Sequence, residues 1–278
     1  MKRTIFFMAI LFAGIAGCSQ SEPYFFIHLT DPQFGMMENN TSFSRETEIV
    51  TNAVSAINRL NPAFVVITGD LVNEGGNMEQ INEYKRLFAR IKKSIPVYYV
   101  PGNHDVGQAV SEDLVALYRA NFGDDRFSAM YKKTGLIGFN SQLIWAKRDA
   151  LETEQYQWLE NELKKMAGNE HCFVFAHHPL FLENPGEEDA YQNLPVDRRG
   201  RYIDLFNKYN VQYMFAGHLH KNNTSRTGNL TIVATNALCV SHSPEPAGLR
   251  IVKVYPDRVV HNYYSLDMLP EKVDLQVK

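Results

Sequence analysis

Five short apolar runs, each ending in residues able to bind a metal, constrain this chain most. They are Phe25 to Leu29, Phe64 to Thr68, Val97 to Val100, Cys172 to Ala176 and Val211 to Ala216. Their length and their β-branched and aromatic content read as buried strands. The blocks that follow them are Asp31-Pro32-Gln33, Gly69-Asp70, Gly102-Asn103-His104-Asp105, His177-His178-Pro179 and Gly217-His218-Leu219-His220. Five strands ending this way describe one site at one edge of a sheet. That edge is where open α/β sheets bind ligands, outside the carboxyl ends of their strands.

The segments between the strands support an α/β class. Residues 44–60 carry Ile49, Ala53, Ile57 and Leu60 at helical spacing, stopped by Asn61-Pro62. Residues 78–93 repeat the pattern through Ile81, Tyr84, Leu87, Phe88 and Ile91. The 39 residues from Asp31 to Asp70 and the 33 from Asp70 to Asn103 each fit one strand–helix–strand crossover. The first three blocks are therefore expected on adjacent parallel strands, with Asp70 on the central one. A helix is expected over 111–122 and two short strands within 127–145, turning near Lys132 to Gly135. Another helix is expected to open at Thr153, with Tyr156, Leu159, Leu163 and Met166 on one face. Strands Leu230 to Thr235 and Leu249 to Tyr255, a turn at Tyr255 to Arg258 and a returning strand from Val259 to Tyr264 make the C-terminal part β-rich. Residues 181–197 are acidic and rich in turn formers. Loops this long are uncommon unless functional, and this one is read as a flap over the site.

The 278 residues, 45% of them hydrophobic, suffice for one large core. A formal charge of −3 with no Lys/Arg run gives no reason to expect nucleic acid as a partner. Lys2 and Arg3 precede an apolar stretch from Ile5 to Ile15, the layout of a secretory signal. The stretch closes in Ile15-Ala16-Gly17-Cys18, which resembles a bacterial lipobox. The expectation is a removable leader over 1–17, a lipidated Cys18, a tether over 18–23 and a domain over 24–278. The protein would then be an exported lipoprotein, anchored in the bacterial cell envelope. Removing Lys2 and Arg3 would take the formal charge from −3 to −5. Cys172 and Cys239 remain and are read as free and buried.

Asp, Asn, Gln and His suit hard or borderline divalent ions, and no thiolate is among them. Two ions need a carboxylate that can bridge them, and Asp70 is the natural bridge. Such a pair would activate a shared water and neutralise phosphoryl oxygens. A general acid must then protonate the leaving oxygen. His104 is the candidate, with Asp105 expected to orient it or stabilise its charge. Successive strand residues face opposite sides, so His177 and His178 are not both expected as ligands. His28 reads as a core histidine, and His171, His242 and His261 as surface or structural. Tyr191, Asn193, Arg198 and Arg199 flank the flap, the arginines read as a solvated helix start.

Over residues 24 to about 265 these blocks closely resemble the calcineurin-like metallophosphoesterase superfamily. The resemblance implies a four-layer αββα sandwich of two mixed sheets. It assigns a first metal to Asp31, Gln33, Asp70 and His220, and a second to Asp70, Asn103, His177 and His218. His104 takes the catalytic role. Gln33 stands where most of the family has His. A narrower branch shares the Asp31-Pro32-Gln33-Phe34-Gly35 block, and its animal members are serine/threonine phosphoprotein phosphatases. Further matches to that branch are Ala56 to Pro62, Asn140-Ser141-Gln142, Pro179 to Glu183 and Tyr263 to Asp267. The cofactors expected are two divalent ions from among Mn, Fe, Zn and Mg. The harder amide oxygen of Gln33 favours Mn²⁺ over Zn²⁺. The expected reaction is hydrolysis of a phosphate ester, with phosphomonoesters favoured and phosphoproteins among them. A phosphodiesterase of cyclic nucleotides or glycerophosphodiesters stays open, as does a non-catalytic lipid-tethered binding protein.

Overall fold

The computed structural model describes residues 21–276. The leader and Cys18 lie outside the described residues. The Ser21 backbone N–H and hydroxyl both bond the Glu170 carboxylate.

Strands β1 (Tyr24–Leu29), β2 (Val65–Thr68) and β3 (Val97–Val100) run parallel and adjacent, joined by crossovers through helices α1 (Ser44–Leu60) and α2 (Met78–Phe88). The hairpin β10 (Gly248–Val254) and β11 (Val259–Ser265) extends this sheet antiparallel to β1, giving the order β11-β10-β1-β2-β3. The second sheet has the order β4-β5-β6-β7-β9-β8. Its parallel centre is β5 (Thr134–Gly138), β6 (His171–Phe175), β7 (Tyr213–Ala216) and β9 (Leu230–Ala234). The antiparallel edges are β4 (Phe127–Tyr131) and β8 (Asn223–Thr227).

Strand alternation explains the layering. Along β1, Phe25, Ile27 and Leu29 face α1 and α2, while Tyr24 and Phe26 face the other sheet. Between the sheets Phe26, Phe64, Phe173, Phe175 and Phe215 meet in stacked and edge-on pairs. Outside the second sheet, α6 (Asp149–Met166) and α7 (Val196–Lys208) bury Leu159, Leu163, Tyr202 and Phe206. The result is helix, sheet, sheet, helix. His28 lies between the sheets, its two ring nitrogens on the hydroxyls of Thr235 and Thr68, each at 2.9 Å. Cys172 and Cys239 are free and buried in different cores.

Some boundaries move. Helix α2 ends at Phe88 rather than near residue 93, and the chain continues in turns to β3. The helix expected from Thr153 starts at Asp149, and the Thr153 hydroxyl bonds the Asp149 carbonyl one turn back. Residues 127–145 hold β4 and β5 as expected, and also a short helix α5 (Ser141–Trp145), capped by the Asn140 side chain. Strand β8 was not expected, because Asn223-Thr224-Ser225-Arg226-Thr227 is polar and lies at an edge where only one side needs pairing. Two further short elements are α3 (Asn103–Val106) and α4 (Glu112–Phe122).

Candidate metal centre

The blocks after β1, β2 and β7 turn off their strands through left-handed backbone. Asp31, Asp70, His218 and His220 have φ of 52°, 48°, 68° and 49°, and Gln33 has 40°. Side-chain-bearing residues adopt this region uncommonly, and it persists where the surroundings over-determine it. Here it swings each side chain into one space at the strand ends. The neighbouring glycines allow the approach. A Cβ on Gly102 would overlap the carboxylate and amide nitrogen of Asp70, and one on Gly217 would overlap the Thr30 hydroxyl and the Asp31 carboxylate.

The histidine rings show which nitrogen faces inward. A backbone carbonyl only accepts, so a ring nitrogen against one carries the proton and its partner nitrogen presents a lone pair. His177 Nδ1 donates to the Thr68 carbonyl at 2.8 Å, His218 Nε2 to Tyr191 at 2.8 Å and His220 Nδ1 to Val240 at 2.7 Å. Bonds of this kind orient metal-ligating histidines.

Into one space then point His177 Nε2, His218 Nδ1, Asn103 Oδ1 and Asp70 Oδ2. The His177 nitrogen lies 3.1, 3.0 and 3.3 Å from the other three. Acceptors converging at these separations suit a shared cation, and without one a proton on His177 Nε2 bridges them. Bonds of about 2.1 Å to a common ion place neighbouring ligand atoms roughly 3 Å apart. Beside this group Asp31, Asp70 and His220 form a second, with His220 Nε2 3.4 Å from Asp31 Oδ1. Asp31 Oδ1 in this cluster, and Gln33 Oε1 on the residue whose backbone N–H bonds the Asp70 carbonyl, are buried with no hydrogen-bond partner among the described residues. Buried polar atoms are normally satisfied, so the donor set fits two divalent ions sharing Asp70. Six of the residues expected as ligands, Asp31, Asp70, Asn103, His177, His218 and His220, thus meet in the two clusters, and Gln33 adjoins them through its backbone bond to Asp70.

The electrostatics agree. Burial alone would raise the Asp70 carboxyl, but His177, His104 and His218 hold it well below the usual range. Burial presses His177 down, yet Asp70 and Asp31 raise it to about 9. A proton therefore occupies His177 when no metal does. Burial and His177 lower His218 to about 4.

His104 is half-buried at the rim. Its Nδ1 donates to the Asn73 carbonyl at 2.9 Å, leaving Nε2 for chemistry, and its backbone N–H bonds Asp70 Oδ1 at 2.9 Å. Asp105 does not do what was expected of it. Its carboxylate accepts the backbone N–H groups of Leu71, Val72 and Gly102, tying the second block to the third, and the orienting partner of His104 is Asn73. Burial first, then the Asp70 charge, raises Asp105 to about 7 against these amides. His178 belongs to neither cluster but packs on the His218 ring, centroids 4.1 Å apart, held by Ser141 Oγ and stacked on Trp145.

The flap arginines are not exposed as expected. Arg199 is fully buried, its guanidinium on the carbonyls of Leu194, Pro185 and Glu187, and Arg198 pairs with Asp149 and Glu152. Tyr191 reaches the centre instead. Its ring lies 4.6 Å from that of His218, and its hydroxyl accepts from Asn103 Nδ2 at 3.1 Å and Gln108 Nε2 at 3.2 Å. Sequence reading named Tyr191 only as a flank, and it passed over Asn73 and Gln108. These residues come from loops and carry no spacing signal.

Comparison with known proteins agrees with this geometry. The calcineurin-like phosphoesterase family model matches residues 26–222. The chain is 35% identical over 270 residues to the serine/threonine-protein phosphatase CPPED1 of Bos taurus, covering 90% of this chain and 86% of the relative. A dimetal phosphatase from Danio rerio is similar in fold, with a TM-score of 0.66 at 13% identity over 87% of this chain and 96% of that one. A purple acid phosphatase from yellow lupin is also similar, with a TM-score of 0.67 at 15% identity, covering 89% of this chain and 52% of the lupin protein. The chain belongs to the calcineurin-like phosphoesterase family.

Proposed function

We propose that this phosphoesterase is a phosphomonoesterase with phosphorylated serine and threonine side chains in its substrate class. The observation that carries the reading is the pair of ligand clusters sharing Asp70, with His104 at their rim. Asp31, Gln33, Asp70 and His220 would hold one ion, and Asp70, Asn103, His177 and His218 the other. When bound, the two ions supply a hydroxide at neutral pH and charge neutralisation for the phosphoryl group. The carbonyls of Thr68, Tyr191 and Val240 keep the histidine lone pairs aimed inward. The Asn73 carbonyl fixes the proton of His104 on Nδ1, so a second proton taken up at Nε2 is the one that reaches the leaving oxygen. A serine alkoxide is a poor leaving group, and a positioned acid contributes about 10²–10⁴-fold. Support for a phosphoprotein substrate comes from the CPPED1 relatives at 35% identity.

Mn²⁺ is the ion we favour, because Gln33 Oε1 is a neutral oxygen donor where an imidazole would draw Zn²⁺. We further propose that Cys18 is lipidated and holds the protein on the bacterial cell envelope, a reading supported by Ile15-Ala16-Gly17-Cys18 after an apolar stretch. Membrane fractionation of wild type and Cys18→Ala tests it: release by the variant is expected, and unchanged partitioning contradicts it.

The activity is tested by removing metal and resupplying Mn²⁺, Mg²⁺, Zn²⁺ or Fe²⁺, with p-nitrophenyl phosphate and bis-p-nitrophenyl phosphate compared. Metal-dependent turnover of the monoester, lost in Asn103→Ala, is expected. Preference for the diester would replace this reading with a phosphodiesterase.

A further inference from the structure

Tyr191 is the one flap side chain whose polar atom meets a ligand of the centre. It is 46% exposed, although its ring packs against His218 and meets Trp145 edge-on at 6.0 Å. Its carbonyl holds His218 and its hydroxyl oxygen holds Asn103, so one residue touches two residues of the Asn103, His177 and His218 cluster.

The state of the hydroxyl follows from its partners. A phenol has one O–H to donate and lone pairs to accept. Asn103 Nδ2 and Gln108 Nε2 both donate to it, which uses the lone pairs. The Asn103 amide has its oxygen turned to His177 Nε2, so its nitrogen must face the tyrosine. Neither amide nitrogen can accept the tyrosine proton. That proton is left to donate, from an oxygen 3.1 Å from the Asn103 amide nitrogen. The arrangement is braced: Gln142 Nε2 donates to the carbonyls of Gly107 and Gln108, fixing the loop that presents Gln108. This gives Gln142, in the Asn140-Ser141-Gln142 stretch, a purpose.

A phosphomonoester presents three terminal oxygens and a diester two, the missing one carrying a second ester arm. A free O–H over the centre favours a bare oxygen at that place. The ring of Tyr191, packed on His218 and edge-on to Trp145, flanks the same place. Resting on the phosphomonoesterase reading above, we propose that the Tyr191 hydroxyl donates to a terminal phosphoryl oxygen of the substrate and selects monoesters over diesters.

The test compares the full-length wild type with Tyr191→Phe, both in detergent and loaded with Mn²⁺. The ring and its backbone contacts stay, and only the hydroxyl goes. Three quantities are read: bound Mn²⁺ per chain, affinity for inorganic phosphate, and kcat/KM on p-nitrophenyl phosphate and its bis-ester. Loss of one preorganised donor costs about 10²-fold where charge develops. The expected result is unchanged Mn²⁺ stoichiometry, phosphate affinity weakened about tenfold, monoester kcat/KM down by 30- to 100-fold and diester kcat/KM within about threefold of wild type. Equal losses on both esters, unchanged phosphate affinity, or loss of one Mn²⁺ would overturn the proposal and leave Tyr191 as a brace for Asn103. A wild type that neither binds phosphate nor turns over the monoester would sink the phosphomonoesterase reading itself, and the proposal with it.

Discussion

His104 is the residue on which catalysis and binding separate most cleanly. It is no ligand in the geometry described, and among the described residues its side chain is hydrogen-bonded only to the Asn73 carbonyl. His104→Ala should keep two ions per chain by elemental analysis and lose about 10²–10⁴ in kcat on an alkyl phosphate. The loss should shrink for p-nitrophenyl phosphate, whose leaving group needs less protonation. Gln33 separates affinity from identity. Gln33→His replaces a lone amide oxygen with an imidazole and should shift competition between Zn²⁺ and Mn²⁺ toward Zn²⁺, read by equilibrium dialysis with both ions present. The residues that cluster were legible in the sequence because each sits a few residues beyond a strand that periodicity reveals. Asp105 was misread because adjacency to His104 in the chain said nothing of where its carboxylate turned. It faces three amides on the far side of the short helix.

Among the elements, the flap depends most on a single residue. Arg199 projects back from α7 and gathers the carbonyls of Pro185, Glu187 and Leu194. Hydrogen bonds from a charged group are worth about 1.5–3 kcal/mol each, and losing the partner leaves buried carbonyls unsatisfied. Arg199→Ala should cost about 3 kcal/mol in thermal or urea unfolding and open residues 182–194 to protease. It should raise KM for the monoester while Mn²⁺ stoichiometry stays at two. Unchanged protease sensitivity would show that other contacts hold the flap. The long, polar, acidic character of 181–197 made a flap legible. The buried arginine did not show, since an Arg pair beside a helix start normally reads as solvated. Helix α1 was legible to the residue, because Asn61 in the left-handed conformation followed by Pro62 stops it by simple sterics. Strand β8 was not, because a polar edge strand carries no hydrophobic alternation.

Across the whole molecule, the centre joins the two sheets. Asp31, Asp70 and Asn103 follow strands of the first sheet, and His177, His218 and His220 follow strands of the second. Metal binding therefore stitches the halves together and should be linked to pH. In the metal-free chain His177 titrates near 9 against 6.5 when unfolded, so its proton stabilises the fold fully below pH 6.5 and that contribution disappears as pH rises through 9. Metal must displace this proton, so Mn²⁺ affinity should climb as pH rises toward 9. The gain in melting temperature on adding Mn²⁺ should accordingly grow between pH 6.5 and 9, and a gain independent of pH would contradict the assignment. Strand spacing alone made the parallel order of β1, β2 and β3 legible. The pairing of two sheets across an aromatic layer came only with family resemblance, since alternation does not reveal which faces meet.

The sharing of Asp70 between two clusters is the central claim, and Mn²⁺ stoichiometry tests it directly. Equilibrium dialysis should find two ions per wild-type chain and one in His220→Ala. Asp70→Asn should weaken both sites together. A single ion in the wild type, or two tightly held ions in Asp70→Asn, would contradict a dinuclear centre bridged by this carboxylate.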